Sequence, residues 1–436
     1  MLTETRHEAW RGCAASFILG RNIRMGDAHV PTTDAMPSTA PLAGIRVLEL
    51  GHYVAAPFAT RLLADLGAEV IKIEPPSGDP VRQWGARHKG SSPWWSVHAR
   101  NKRCISLDLK KPEAKRIVLD LVRSCDALVE NFRPGQLARM GLGEAELRAA
   151  KPDLVIARIS GYGQDGPGRD QAAFGVIGEA IGGLRHLTDH KPGTSDLPPV
   201  RVGVSIGDSI AGIYAALGVV SALLRRNRTG AGGDIDVALS EAVFSLLEGA
   251  LPEYGALGAV RQPTGGGIAT AAPSNAYRAR DGVWMLIAAN SDPLFRKLAA
   301  LIGRPELADS AEYSGNQARC ANAAALDRII GAWSATMDAA AVDAALAGAD
   351  IPHTRVFTVA DIAADPQFRA RQMVQEVDDA LLGPILHPGV VPRMDGVSPA
   401  PRSTGPAIGA DNESVLRDML GYDGAKIAAL AAEGVL

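Results

Sequence analysis

The chain has 436 residues, more than one compact core readily serves, so two domains are expected. Hydrophobic residues make up 47% and charged residues 21%, an ordinary balance for a soluble globular protein. With 45 Lys and Arg against 48 Asp and Glu the formal charge is -3, which supplies no basic footprint for nucleic acid or for an anionic membrane.

Residues 1–40 read apart from the rest. Their short apolar run, 13–19, lacks a trustworthy cleavage site, and their arginines alternate with acids. A mobile extension or an upstream start is expected, with Met25 or Met36 as candidate beginnings. From Gly44 strand-like and helix-like runs alternate. Strands are expected at Arg46–Leu50, Glu69–Glu74, 104–109, 127–132, 154–160 and 234–239. Helices are expected over 57–66, 112–123 and 210–224, and another opens near Val176. Such alternation implies βαβ units, hence a Rossmann-like α/β fold with a mostly parallel sheet.

The apolar stretch 210–224 falls short of the ~20 residues that a bilayer span needs, and reads as a buried helix. It is followed by Arg225, Arg226 and Arg228, suited to a helix C-terminus, and then by Gly230. After the glycine-rich run Pro263-Thr-Gly-Gly-Gly267 a smaller α+β unit is expected. Its first clear strand is 283–289, its helices lie at 292–302, 323–337 and 339–346, and a strand lies at 354–357. Beyond Met373 the chain turns strand- and proline-rich, then closes with helices Asn412–Leu420 and 423–432. The expected division is a large domain over 41–240, a small domain over 262–358, and a C-terminal part over 373–436.

Four cysteines, Cys13, Cys104, Cys125 and Cys320, are widely spaced without a CxxC pair. A reduced, cytoplasmic chain without structural zinc is the simplest reading. His186 and His190 have HxxxH spacing, but no glutamate follows the first, and the segment reads as a loop rather than a metal site. No metal is expected.

Gly161-Tyr-Gly163-Gln-Asp-Gly166 is a literal GxGxxG. A dinucleotide site needs a helix to open inside such a loop, and Pro167-Gly168-Arg169-Asp170 follow instead. No NAD or flavin site is expected. Val204-Ser-Ile-Gly207-Asp208-Ser209 leads straight into the apolar helix, and Asp208 has two readings. It can be an N-cap that accepts backbone N–H bonds. It can also be an ionised, directed carboxylate, held charged by the helix terminus and able to attack an activated carbonyl.

Several ordered segments then match one family. Pro41-Leu-Ala-Gly-Ile-Arg-Val-Leu-Glu-Leu50, Ala56-Pro-Phe58, the run from Asp65 to Glu74, and Gly78-Asp79 resemble the opening of family III CoA-transferases. Asn101-Lys-Arg103, Val129-Glu-Asn-Phe132, Arg139-Met-Gly-Leu142, Ser160-Gly-Tyr-Gly-Gln164 and Gly207-Asp208 continue the match, which runs from Pro41 to the C-terminus.

The resemblance implies a ring-shaped chain, with N- and C-terminal pieces sharing the large domain, and two rings interlocked as a homodimer. It implies transfer of CoA from an acyl-CoA donor to a carboxylic acid, with Asp208 forming first an aspartyl anhydride and then aspartyl-CoA. CoA is then a substrate and no cofactor is needed. Val54, Leu107, Lys110, Asn131, Phe132 and Arg139 stand where the family binds CoA. Lys110 and Arg139 would meet phosphates, or else be solvated surface charge. Gly265, Gly266 and Gly267 are either an active-site loop that excludes water or a linker turn. Val54 replaces a glutamine, and Phe174 a tyrosine, of the formyl-CoA transferases. The rival 2-methylacyl-CoA racemases place a Gly-His-Asp stretch where this chain has Ala173-Phe174-Gly175, so one base of a two-base racemase is missing. A non-catalytic acyl-CoA-binding protein is the alternative from another class. Succinyl-CoA with a dicarboxylate acceptor is suggested by the resemblance alone, and no residue selects the acid pair.

Overall fold

The computed structural model describes residues 39–436, so nearly all of the extension expected over 1–40, including Met25 and Met36, lies outside the described residues. Six strands build one sheet: β1 (Arg46–Leu50), β2 (Glu69–Glu74), β3 (Lys102–Ser106), β4 (Ala127–Glu130), β5 (Val155–Ser160) and β6 (Gly233–Ala238). Their order is β3-β2-β1-β4-β5-β6 and every neighbouring pair is parallel. Helices must cross between parallel strands, so both faces are covered, and β1, β2, β4 and β5 are buried along almost their whole length, whereas the edge strand β6 exposes Asp234 and Asp236. Alternation sorts the two faces. Leu48 and Ile71 enter one core, while their neighbours Val47 and Val70 enter the other.

Helices α1 (Ala55–Asp65), α2 (Pro112–Arg123), α3 (Gly175–Ile181), α4 (Ile206–Thr229) and α5 (Leu239–Phe244) surround this sheet. α2 opens on a proline and buries Ala114, Ile117, Val118, Leu121 and Val122, a helical stripe against one face. α1 and α4 cover the other face, and Ala59, Ala211 and Ala215 join its core. Gly212 lets α4 approach α1, since a Cβ there would stand 2.9 Å from the Ala55 carbonyl oxygen.

α4 departs from the buried helix of 210–224 that the sequence predicts. It has 24 residues, starting four residues earlier and ending at Gly230 in the left-handed region. Only its inner face is buried, and Ile213, Leu217 and Leu224 are exposed. In length and apolarity α4 could cross a membrane, yet just under half of that stretch is buried in the protein, against α1 and the sheet. Small residues permit close packing on that side, whereas the outer apolar residues face no described partner.

A third core gathers residues 277–351. It comprises antiparallel β7 (Ser274–Arg278), β8 (Trp284–Ala288) and β9 (His353–Arg355), with α6 (Asp292–Leu301), α7 (Ala323–Ser334) and α8 (Ala339–Gly348). β7 precedes the strand expected to be first. Its sequence, Ser-Asn-Ala-Tyr-Arg, has one fully buried side chain, so no apolar period announced it. β3 likewise begins two residues before the expected 104–109, because the charged Lys102 is buried there rather than solvated.

The hairpin β10 (Val374–Asp379) and β11 (Gly383–Pro388) precedes the terminal helices α9 (Asn412–Leu420) and α10 (Gly424–Ala432). Val415, Leu416, Leu430 and Val435 enter the core beneath β1 and β2. Asp411 Oδ2 and Asn412 Oδ1 accept the Cys104 and Ser106 backbone N–H groups at 2.7 and 2.8 Å. The chain's end therefore satisfies the free edge of β3, which a sheet otherwise leaves open.

Candidate active site

Parallel sheets of this order present a crevice beyond the strand carboxyl ends, where the order reverses between β1 and β4. A cavity of about 390 Å³ lies there. Leu50, Ile73, Leu107 and Phe132 form its apolar wall, and Lys110, Lys115 and Arg139 bring three cations to it. Leu107, Lys110, Phe132 and Arg139 are thus brought together, as the sequence predicts for a common site. Lys115, at the start of α2, was missed because nothing local separates it from an exposed helix lysine. Apolar walls beside several cations suit a ligand with a flat organic group and phosphates.

His52 also lines this cavity, edge-on to Phe132 at 5.1 Å between ring centroids. Burial pushes its pKa below the ordinary histidine value, with Lys72 adding to the effect. Asn131 and Val54 do not line it. Asn131 Oδ1 accepts the His52 N–H at 2.8 Å and its Nδ2 donates to the His52 carbonyl at 2.9 Å, so Asn131 clamps the loop after β1. Val54 is buried at the head of α1, where its carbonyl accepts the Phe58 N–H at 2.7 Å.

A second cavity, of about 590 Å³, contains Asp208. It begins one residue further along the same loop, since His52 lines the first cavity and Tyr53 the second. Tyr53, Trp84, Trp94 and Phe174 supply aromatic walls. The Tyr53 ring lies 5.2 Å from Trp84 and 6.0 Å from Phe174. Tyr53 has φ 61, a conformation that costs a non-glycine residue about 1–3 kcal/mol.

Buried charges hold this loop. Lys72 Nζ lies 2.7 Å from Glu49 Oε1 and 2.8 Å from Asp79 Oδ2, and donates to the Gly51 carbonyl at 2.8 Å. Asp79 Oδ1 accepts the Tyr53 N–H at 3.1 Å. Lys102 Nζ contacts Glu49 Oε2 and the Pro57 carbonyl, each at 2.8 Å. Burial alone would push Glu49 upward; the two ammonium groups overcome it and bring its pKa down to about 2. This network explains why Glu49, Lys72 and Asp79 belong to the recognisable segments: they fix the loop shared by both cavities.

Asp208 is the third residue of α4, and its carboxylate accepts no capping hydrogen bond. The N-cap reading is therefore overturned. The helix opens at Ile206, so Ser205, not Asp208, stands at the cap position. The expectation that the helix terminus holds this carboxyl group's pKa down is corrected too, although the group stays mainly ionised at neutral pH. Burial, then the neighbouring Glu179 charge, push Asp208 up to about 6, against the opposing pull of Arg201. Desolvation outweighs the one opposing charge, Arg201.

Gly175 explains the close fit of α3 on this carboxylate. A Cβ at Gly175 would lie 2.1 Å from Asp208 Oδ2, and one at Gly207 would lie 2.8 Å from the Gly175 carbonyl oxygen. Buried Glu179 receives the Arg201 guanidinium through Nε at 3.0 Å and Nη2 at 3.1 Å. Neither partner was singled out from the sequence, because they meet across 22 residues without a motif.

Gly265, Gly266 and Gly267 lie elsewhere. Thr264 Oγ1 donates to the Gly267 carbonyl at 2.7 Å, and a Cβ at Gly266 would meet Asn275 of β7 at 2.8 Å. None of the three lines the Asp208 cavity. The loop Gly161–Gly166 has no helix opening within it, and the next helix is α3.

A Rossmann-like parallel sheet with a crevice carrying Lys110, Lys115 and Arg139 at its switch point, beside a half-buried carboxylate in an aromatic cavity, places the chain among α/β proteins with a site at the strand carboxyl ends. The family model for CoA-transferase family III matches residues 42–412, and the chain belongs to that family of enzymes. It is 45% identical over 398 residues to succinyl-CoA–D-citramalate CoA-transferase of Chloroflexus aurantiacus, covering 91% of this chain and 98% of that protein. It is 34% identical over 436 residues to succinyl-CoA:glutarate CoA-transferase of Mus musculus, covering 99% and 97%. A crystal structure of a CAIB/BAIF family protein from Brucella suis superposes with TM-score 0.76 at 33% identity, covering 87% of this chain and 99% of that one.

Proposed function

We propose that this CoA-transferase takes CoA from succinyl-CoA, gives it to a dicarboxylic acid, and uses Asp208 as its covalent nucleophile. The observation that carries the reading is the uncapped Asp208 carboxylate in a cavity adjoining the cationic crevice. The donor and acceptor classes come from the names of the relatives above.

In this reading Lys110, Lys115 and Arg139 receive the CoA phosphates, and the pantetheine arm passes the His52–Tyr53 loop. An Asp208 oxygen attacks the thioester carbonyl, the C–S bond breaks, and CoA leaves as thiolate. The product is a mixed anhydride of Asp208 and the donor acyl group. Thiolate then attacks the aspartyl carbonyl, releasing the donor carboxylate and leaving aspartyl-CoA. The acceptor carboxylate attacks that thioester, and returning thiolate takes the acceptor acyl group from the second anhydride, restoring Asp208. One thioester is exchanged for another, so the sequence draws on no nucleoside triphosphate, metal or nicotinamide. Raised basicity at Asp208 favours attack, while a value of about 6 still leaves it mainly ionised at neutral pH. Phe174 argues against the racemase alternative, since it stands at the histidine position, lines the Asp208 cavity and carries no group that can transfer a proton.

We further propose a homodimer. Ile213, Leu217 and Leu224 of α4, with Leu251 and Leu257 nearby in sequence, expose apolar surface of the kind that subunits cover. Asp208 is tested by incubating the enzyme with succinyl-CoA, trapping with hydroxylamine or borohydride, and sequencing the modified peptide by mass spectrometry. Modification at Asp208 in wild type, absent from Asp208→Asn, is expected. An enzyme that transfers CoA without a covalent adduct contradicts the mechanism.

A further inference from the structure

The Asp208 cavity has a charge pattern that the covalent chemistry alone does not require. Among the described residues that line it, Asp208 is the one anion and Arg201 the one cation. The remaining wall is aromatic, aliphatic or glycine, apart from Ser205. A simple nucleophile needs no guanidinium that remains substantially exposed, with 43% of its side-chain surface accessible.

Glu179 explains how this guanidinium is held. Its side chain is only 3% accessible, and it engages Nε and Nη2 of Arg201 at 3.0 and 3.1 Å. The buried carboxylate takes one edge of the planar fork, which leaves Nη1 without a hydrogen-bond partner in the protein among the described residues. An arginine fixed along one edge presents the other as a preorganised carboxylate receptor.

We propose that Arg201, oriented by Glu179, is the specificity residue that receives the distal carboxylate of a dicarboxylic acyl group, while Tyr53, Trp84, Trp94 and Phe174 pack its carbon chain. The assignment rests on the reading of Asp208 as the acyl acceptor. With the reacting carbonyl at Asp208, the far end of a short acyl chain lies in the same cavity as Arg201. The same geometry serves donor and acceptor in turn, because each acid occupies the anhydride position once. A monocarboxylic acyl group would leave Nη1 without its anion, and an acid with a second carboxylate would supply it.

The test compares full-length wild type, Arg201→Gln and Arg201→Lys with succinyl-CoA and butyryl-CoA as donors. Both donors present a four-carbon acyl chain, and only the first ends in a carboxylate. Wild type is expected to favour succinyl-CoA in kcat/KM. Arg201→Gln is expected to lower the succinyl-to-butyryl ratio about 30- to 100-fold, the loss of a charge-assisted bidentate contact, with the lysine variant between. Removing Arg201 leaves Glu179 buried without its cation, so the neutral pair Glu179→Gln/Arg201→Gln is measured as well and is expected to show the same fall.

Adduct formation at Asp208 is followed in every variant. A wild type that prefers butyryl-CoA, or a ratio unmoved in both Arg201→Gln and the neutral pair, overturns the assignment. An equal fall for both donors also overturns it, since that marks a role in structure or in Asp208 reactivity. Absence of an adduct in wild type would instead overturn the covalent mechanism, so the two failures are distinguishable.

Discussion

Replacing Asp208 by asparagine separates what the carboxylate does for chemistry from what it costs the fold. The two side chains are nearly isosteric, so the space against Gly175 stays filled. The anhydride cannot form on an amide, and transfer is expected to fall at least about 10⁴-fold. Stability is expected to move the other way. Asp208 is raised from the ordinary aspartate value of 3.8 to about 6, by burial first and Glu179 second. That difference corresponds to at most about 3 kcal/mol at about 1.4 kcal/mol per pH unit. Asp208 is only half-buried and solvent screens its charge, so ~1–2 kcal/mol is the better expectation. For a chain of this size such a gain raises Tm by about 1–2 °C.

The pH dependence makes this specific. A group with a raised native pKa binds protons more tightly when folded, so wild type loses stability as pH climbs from about 4 to about 6. The asparagine variant escapes that loss. Its advantage should be full above about pH 6 and should vanish below about pH 4. Paired thermal melts across this range, with transfer assays at pH 7.5, test both halves. A variant that is less stable at neutral pH, or whose difference from wild type ignores pH, refutes the desolvated carboxylate. Near-wild-type transfer refutes the nucleophile.

The acid limb of kcat/KM should fall with unit slope below about pH 6, as Asp208 takes a proton; a profile flat to pH 4 would contradict this. Gly175→Ala forces a methyl group into the carboxylate, 2.1 Å from Oδ2, and should cut transfer about 100-fold while circular dichroism stays native; unchanged rates would show that the contact is soft. Alanine at Lys110, Lys115 or Arg139 should each raise KM for the CoA thioester about 3- to 10-fold with kcat little altered. Added salt should mimic the change in wild type, and salt-independent KM values would argue against phosphate contacts at this rim. If the proposed homodimer forms through this face, Leu217→Glu with Leu224→Glu should shift sedimentation from dimer toward smaller or unfolded species; a wild type that sediments as monomer refutes the proposed dimer, and a dimer unaffected by the changes places the interface elsewhere.

The sheet was legible because most of its strands are short, largely apolar runs separated by clear breaks: β1 and β2 were expected with their observed ends, and α2 and α9 likewise. Local pattern suffices where burial is dictated by period and composition. It failed for β7, whose residues are mostly half-buried and polar, and for the start of β3, where a lysine is buried because Glu49 reaches it from β1. The family was legible too, from ordered segments whose glycines, prolines and charges sit at loops and in the buried network.

Asp208 could be found in the sequence, but not what surrounds it. Its position at a helix start argued for a cap and a low pKa; the structure gives no cap and a raised pKa, because burial and Glu179 come from elsewhere in the chain. Lys115, Glu179 and Arg201 carry no motif, since their meaning lies in distances between residues far apart along the chain. Sequence by itself determined the alternating elements and the family and singled out Asp208 as the candidate nucleophile, all from local order. Only the tertiary structure decided which charges face that carboxylate and which loop joins its cavity to the cationic crevice, because electrostatics and desolvation act through space.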